Sequence, residues 1–190
     1  MESLGVILSR YLEKYAPKGK GLSANGATQF GRAPGVGTHA WVHSALPPLR
    51  PEQESQLRAG LGDFVHSDIL RVLRIHNGFN MFCGHLSLYG VQEPLLTRSP
   101  DFVHPFSIQS ENHSWPWAVR NGCLFVGGVG HDGDHLCMNS RTGAVHLVPQ
   151  RGGVAIEEFE SLRIALLTLC ERLDAERDWT QWEPPWKRSL

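Results

Sequence analysis

The sequence predicts a single α+β domain in which a bent, mostly antiparallel sheet is flanked by helices. Three observations carry this. Apolar residues recur at helical spacing near both ends of the chain, short strand-like runs follow one another between residues 82 and 148, and the links between those runs are tight and glycine-marked. Strands joined by short links pair antiparallel, because a parallel pair needs a crossover of a dozen or more residues. A chain of 190 residues buries roughly two-thirds of its unfolded surface, enough for a core without cross-links.

The first element is a helix with Leu4, Ile7, Leu8, Tyr11, Leu12 and Tyr15 on one stripe, ended by Pro17, Gly19 and Gly21. Residues 17–37 carry glycines at 19, 21, 26, 31, 35 and 37 and few large apolar side chains, so residues 1–39 read as a helix and a connector. The run Leu46-Pro47-Pro48-Leu49-Arg50-Pro51 then stiffens the chain. Pro51 suits the first turn of a second helix, Glu52 and Glu54 suit its positive end, and Gly60 and Gly62 close it. Ser67 is the expected N-cap of a third helix, which carries Ile69, Leu70, Val72, Leu73 and Ile75. Asn77-Gly78 supplies its left-handed exit.

Beyond that exit the period changes. Phe82, Leu86, Leu88 and Tyr89 predict one strand or two, ending at Gly90. Pro94, Pro100, Pro105 and Pro116 interrupt any regular element over 91–120. Strands are expected at 124–126, 134–138 and 144–148, the last two joined by a hairpin loop over 139–143. Asp132-Gly133 makes the turn before the second of these, with Asp134 anchoring it. A closing helix is expected from about Phe159, with Leu162, Leu166, Leu169 and Leu173 on its buried stripe and Glu157 and Glu158 in its first turn. The domain therefore spans 40–175, and 176–190 is a tail rich in Trp and Pro.

Composition narrows the function. The net charge of −1 steers the chain toward neither nucleic acid nor an anionic membrane. No apolar run approaches the ~18 residues of a membrane span. An acid stands at position 2 where a signal peptide carries bases, so a cytoplasmic protein is expected. The cysteines at 83, 123, 137 and 170 form no CxxC pair and read as reduced thiols.

Tests for chemistry give little. The glycine-rich 31–38 segment lacks the Lys that a phosphate loop needs, so no cofactor is expected. Cys83 and His85 would share one face of a strand, yet neither an orienting group nor an oxyanion site accompanies them. Cys123, His131, His135 and Cys137 are zinc-ligating types, but their spacing matches no finger, and His131 would have to fold back over the Asp132-Gly133 turn. Asp132 and Asp134 are spaced as in a calcium loop whose closing Glu is missing. No catalytic or metal-ligating residue is assigned, and the chain is expected not to be an enzyme; a zinc-dependent enzyme is the least favoured alternative.

Three segments occur in a telling order. The first runs from Leu46-Pro47-Pro48 through the Pro51 helix to Ile75-His76-Asn77-Gly78. The second is Leu86-Ser87-Leu88-Tyr89-Gly90. The third is Val126-Gly127-Gly128 followed by Gly130-His131-Asp132-Gly133-Asp134 and Thr142-Gly143. This pattern resembles the SUKH superfamily, the Smi/Knr-like group. Many of its bacterial members are immunity proteins that neutralise a cognate toxin, often a nuclease, and its fungal members regulate cell-wall assembly through protein contacts. The resemblance implies a non-catalytic module whose partner is another protein, a cognate toxin, with an adaptor that binds a peptide or protein as the alternative. Asn77, Gly78, Gly133 and Asp134 match motif positions that set turns. No binding residue carries over, so candidate partner contacts come from residue chemistry alone: Asp132, Asp134, Trp179 and Trp182. A basic nuclease would also need an acidic patch, for which Glu52, Glu54, Asp63, Asp68, Glu157, Glu158 and Glu160 are the other candidates.

Overall fold

A computed structural model describes residues 4–92, 102–114, 121–130 and 133–184. Nine strands form one sheet whose spatial order is the chain order: β1 Lys20–Leu22, β2 Thr28–Arg32, β3 Trp41–Ala45, β4 Phe79–Met81, β5 Leu86–Leu88, β6 Cys123–Val129, β7 Asp134–Asn139, β8 Val145–Val148 and β9 Glu157–Phe159. Every neighbouring pair is antiparallel. The expected α+β class with an antiparallel sheet is what the chain forms.

Five helices accompany the sheet among the described residues. α1 (Leu4–Lys14) buries Leu4, Leu8 and Leu12, one residue per turn. α2 (Pro51–Leu61) opens on its proline, and the Arg50 N–H donates to Gln53 Oε1 at 2.9 Å, satisfying a terminal donor. Gly62, at φ +57°, ends it. α3 (Ser67–Leu73) is capped one residue earlier than expected: His66 Nδ1, not the Ser67 hydroxyl, accepts the Asp68 N–H at 3.2 Å. Ser67 is already the first helical residue, and the helix closes at Leu73 with Arg74 as its C-cap, so Ile75 and the Asn77-Gly78 exit expected of it lie beyond its end. α4 (Ile108–Ser114) falls in the proline-rich stretch where no element was expected, between Pro105 and Pro116. α5 (Leu162–Glu176) buries Leu162, Leu166, Leu169 and Leu173, with Ser161 Oγ accepting the Ile164 N–H. None of these helices is long and apolar enough to cross a membrane.

Two expectations need correction at the ends of the chain. Glu157 and Glu158 do not open the last helix; they lie in β9, because Phe159 pairs with Val145 and is buried there. The glycine-rich stretch 17–37 is not a connector but the β1–β2 hairpin and the loop into β3. Its glycines permit close approach rather than slack. A Cβ on Gly21 would stand 2.7 Å from the Trp41 ring, and one on Gly35 would stand 2.5 Å from the Trp182 carbonyl oxygen. Leu4, Leu8, Leu12, Phe30 and Ala33 from the first forty residues share one apolar core with Trp179 and Trp182 from the tail.

Three asparagines do the work of strand partners where strands are too short. Asn77 Nδ2 donates to the Val91 carbonyl at 2.9 Å, and Asn77 Oδ1 accepts the Val91 N–H at 2.8 Å. Asn112 of α4 makes the same pair of bonds to Phe125 of β6. Asn25 makes it to Val103. Each primary amide presents one donor and one acceptor, as a neighbouring strand residue would. β5 is three residues long and β6 is seven, so β6 needs a partner beyond the end of β5. Asn112 supplies it, and this seats α4 beside the sheet.

Candidate functional site

The strand register sorts side chains into two rows on opposite faces. One row runs Thr28, Ala45, Phe79, Leu88, Gly127, Leu136, Leu147, each residue paired with the next across adjacent strands. Ala45, Phe79, Leu88, Leu136 and Leu147 are buried. Two strands' length of neighbouring contacts shows what covers them: Cys170 of α5 reaches Met81 Sδ at 4.0 Å, and Tyr15 lies against His43 with ring centroids 4.5 Å apart. The other row, one residue along each strand, runs Gly21, Gln29, Ser44, Asn80, Ser87, Gly128, His135. Gln29, Ser44, Asn80 and Gly128 are half-exposed.

This polar row has a built character. Ser87 Oγ donates to Asn80 Oδ1 at 2.8 Å, which orients the amide. At one end the Trp41 ring lies over Gly21, and the Arg32 guanidinium stacks 4.1 Å from that ring. At the other end the Tyr89 hydroxyl is 3.4 Å from His135 Nδ1, and a Cβ on Gly128 would stand 3.1 Å from that hydroxyl. The His135 ring stacks on Phe125 at 4.5 Å, and burial holds its pKa below the ordinary histidine value. From end to end the row offers amides, hydroxyls and bare backbone between an aromatic–arginine pair and a tyrosine–histidine pair.

The motif residues occupy structural roles. Asn77 is buried and clamps Val91, as described. Gly78 has φ +88°, and a Cβ there would meet the Leu88 carbonyl oxygen at 2.9 Å; only glycine accepts both conditions. Gly133, at φ +76°, leads into β7. Asp134 Oδ1 accepts the Gln150 N–H at 3.2 Å, which ties the start of β7 to the residues just past β8. Asp132 and His131 lie outside the described residues, as do Trp186 and the prolines at 94, 100 and 116.

Trp179 and Trp182 are not partner contacts. Trp179 is fully buried, its indole N–H donates to the Leu173 carbonyl at 2.6 Å, and its ring packs on Phe82 and His85. Trp182 packs on His85 at 4.8 Å and is buried too. A large apolar ring gains most by leaving water, and the groove between the β4–β5 turn and the end of α5 is where these two do so.

The candidate chemical pairs also resolve. Cys83 and His85 do not face each other on a strand. Phe82, Cys83 and Gly84 turn the chain through three successive positive φ angles of 54°, 56° and 90°. Cys83 Sγ donates to the Trp179 carbonyl, and burial pushes its thiol up to about 12. His85 Nδ1 bonds the Phe82 carbonyl at 2.8 Å. Among the described residues, no three His, Cys, Asp or Glu side chains gather as a metal site would require. The candidate acids are mostly engaged: Glu54 with Arg58 and Arg74, Asp68 with Arg71, Glu157 with Arg172 and Glu158 with His146. A groove of about 1000 Å³ beside α1, lined by Val6, Arg10, Glu13, Lys14 and Asp174, is crossed by the Lys14–Asp174 ion pair at 2.7 Å.

Sequence reasoning missed the polar row because its members are commonplace residues, and each stands 7 to 41 positions from the next. Only strand register aligns Gln29 with Ser44 and Asn80 with Ser87. Compared with family models, curated proteins and solved structures, the chain matches none.

Proposed function

We propose that this chain is a non-catalytic protein-binding module that receives its partner on the polar row, and that the partner is a toxin it neutralises. The observation that carries the reading is the row itself. A face that needs only to be wetted would carry charged side chains; this one carries Gln29, Ser44, Asn80, Ser87 and Gly128. Interface centres are depleted in charge, because an amide or hydroxyl loses less on desolvation than an ion. Trp41 and Arg32 at one end are the residue types that dominate interface energetics. The motif order shared with the SUKH superfamily supports a toxin as the partner and an absence of catalysis.

The test is co-expression with the product of the adjoining reading frame. The wild-type chain is expected to restore growth and to co-purify with that product. Ser44→Arg and Asn80→Arg are expected to abolish both while keeping the circular dichroism spectrum and melting temperature. Full protection by both variants would remove the row from the interface. A stable complex with no effect on growth would favour the adaptor reading over the immunity one.

A further inference from the structure

We propose that Cys123 and Cys137 are a redox-active dithiol that closes reversibly into an intramolecular disulfide on meeting a small-molecule disulfide. The register places them. Phe125 pairs with Cys137 and Cys123 with Asn139, so the two cysteines are diagonal neighbours on one face of β6 and β7. The two thiols lie close enough that each shifts the other's hold on its proton. Cys123 is half-exposed, next to Gly122 at φ +73°, while Cys137 is buried behind it. One thiol therefore meets solvent and the other waits within reach, the arrangement of an attacking and a resolving cysteine.

The environment divides the four thiols in the same way. The neighbouring Cys137 holds Cys123 below the ordinary thiol range, and Cys123 together with burial pushes Cys137 up. Burial pushes Cys83 and Cys170 up to about 12, and their sulfurs are spent on the Trp179 carbonyl and on Met81 Sδ. His146 lies directly opposite Cys137 on the same face, with Nδ1 3.3 Å from Glu158.

The chemistry balances as thiol–disulfide exchange. The Cys123 thiolate attacks one sulfur of the small disulfide, forming a mixed disulfide and releasing one thiolate. The Cys137 sulfur then attacks Cys123, breaks the mixed bond and releases the second thiolate. The two protons of the cysteines end on the two released thiols; the protein is oxidised by two electrons and the small disulfide is reduced by two. Diagonal neighbours in an antiparallel pair stand ~7–8 Å apart, whereas relaxed disulfides join Cα atoms about 4.4–6.8 Å apart. Closure must pull β6 and β7 together, and the register irregularity between Phe125 and Gly127 gives β6 room to move. A bond closed against such resistance is readily reduced, so the pair cycles rather than locks.

The experiment incubates the full chain with oxidised glutathione and reads intact mass, free thiols and the peptide map. The expected product has lost two hydrogens, keeps two of its four free thiols, carries a Cys123–Cys137 link and regains all four thiols with dithiothreitol. Cys137→Ser is expected to stop at the mixed disulfide on Cys123, Cys123→Ser to resist oxidation, and Cys83→Ser to behave as wild type. Because the wild-type chain alone supplies the decisive reading, a variant that fails to fold does not obscure it. Wild-type protein that accumulates only the mixed disulfide, stays fully reduced, or links through Cys83 or Cys170 overturns the proposal.

Discussion

Phe79 and Asn80 are adjacent in the chain and lie on opposite faces of the same three-residue strand. Phe79 is buried among Ala45 and Leu88; Asn80 is half-exposed between Ser44 and Ser87. Gln29 and Ser44 repeat this half-exposed setting in β2 and β3, whereas in β5 and β7 Ser87 and His135 are buried on the polar side as well. It teaches that the two faces answer to different demands. The apolar face holds the domain together, and its contrast with the polar face also fixes register, since a slip of one residue would exchange them. The half-exposed positions of the polar face, Gln29, Ser44 and Asn80, remove less surface from water and so contribute less to that task.

The comparison can be broken most sharply by truncating its apolar half. Phe79→Ala is expected to destabilise the domain by about 3–5 kcal/mol, read as a fall in the urea midpoint without a change in slope. A loss below about 1 kcal/mol would mean that this face is not the core.

His43 sharpens the same point through pH. It is the buried histidine of the apolar face, set between Tyr15 and Phe82, and among the described residues its Nε2 has no hydrogen-bonding partner. Burial drives its pKa down to about 3. The folded state thus refuses a proton that the unfolded state accepts below the ordinary histidine pKa of about 6.5. Stability contributed by neutral His43 is complete above about pH 6.5 and falls by about 1.4 kcal/mol for each unit of acidification from there toward pH 3. His43→Gln is expected to flatten that part of the stability–pH curve; an unchanged slope would show that His43 titrates normally.

Asn77→Ala tests whether the amide clamps belong to the structural side of the division. Both the Val91 N–H and its carbonyl would lose their partner in a buried setting, and a loss of about 1–3 kcal/mol is expected. Asn77→Asp restores only the acceptor and should recover part of it. The smallest effect is expected next door to the largest: Asn80→Ala should shift stability by no more than about 1 kcal/mol, the worth of its one bond to Ser87. Equal costs for Phe79→Ala and Asn80→Ala in the same urea series would erase the distinction between the faces.

Much of the fold was legible because the signals were local. The α1 and α5 stripes, the proline start of α2 and the 139–143 hairpin loop, where Asn139 Oδ1 accepts the Arg141 N–H, all follow from residues within a few positions of each other. The edge strands were illegible because glycine reads as freedom. At Gly21 and Gly35 it is instead the absence of a side chain where Trp41 and Trp182 press close. α4 was hidden by its flanking prolines, and the tail tryptophans read as appendages because nothing near them in sequence receives them.

Sequence alone determined the class, the alternation that makes strands, the turns at Asn77-Gly78 and Gly143, and the neutral balance of charge. Local chemistry suffices for these, since periodicity and positive φ act within a few residues. Tertiary structure decided that Trp179 and Trp182 belong to the core, that Asp134 reaches Gln150, that Cys123 stands diagonal to Cys137, and that Gln29, Ser44, Asn80 and Ser87 from four strands stand in one line. Those facts depend on which strand lies beside which and in what register. That is settled by the burial of the whole apolar face at once, and no short stretch of the chain contains it.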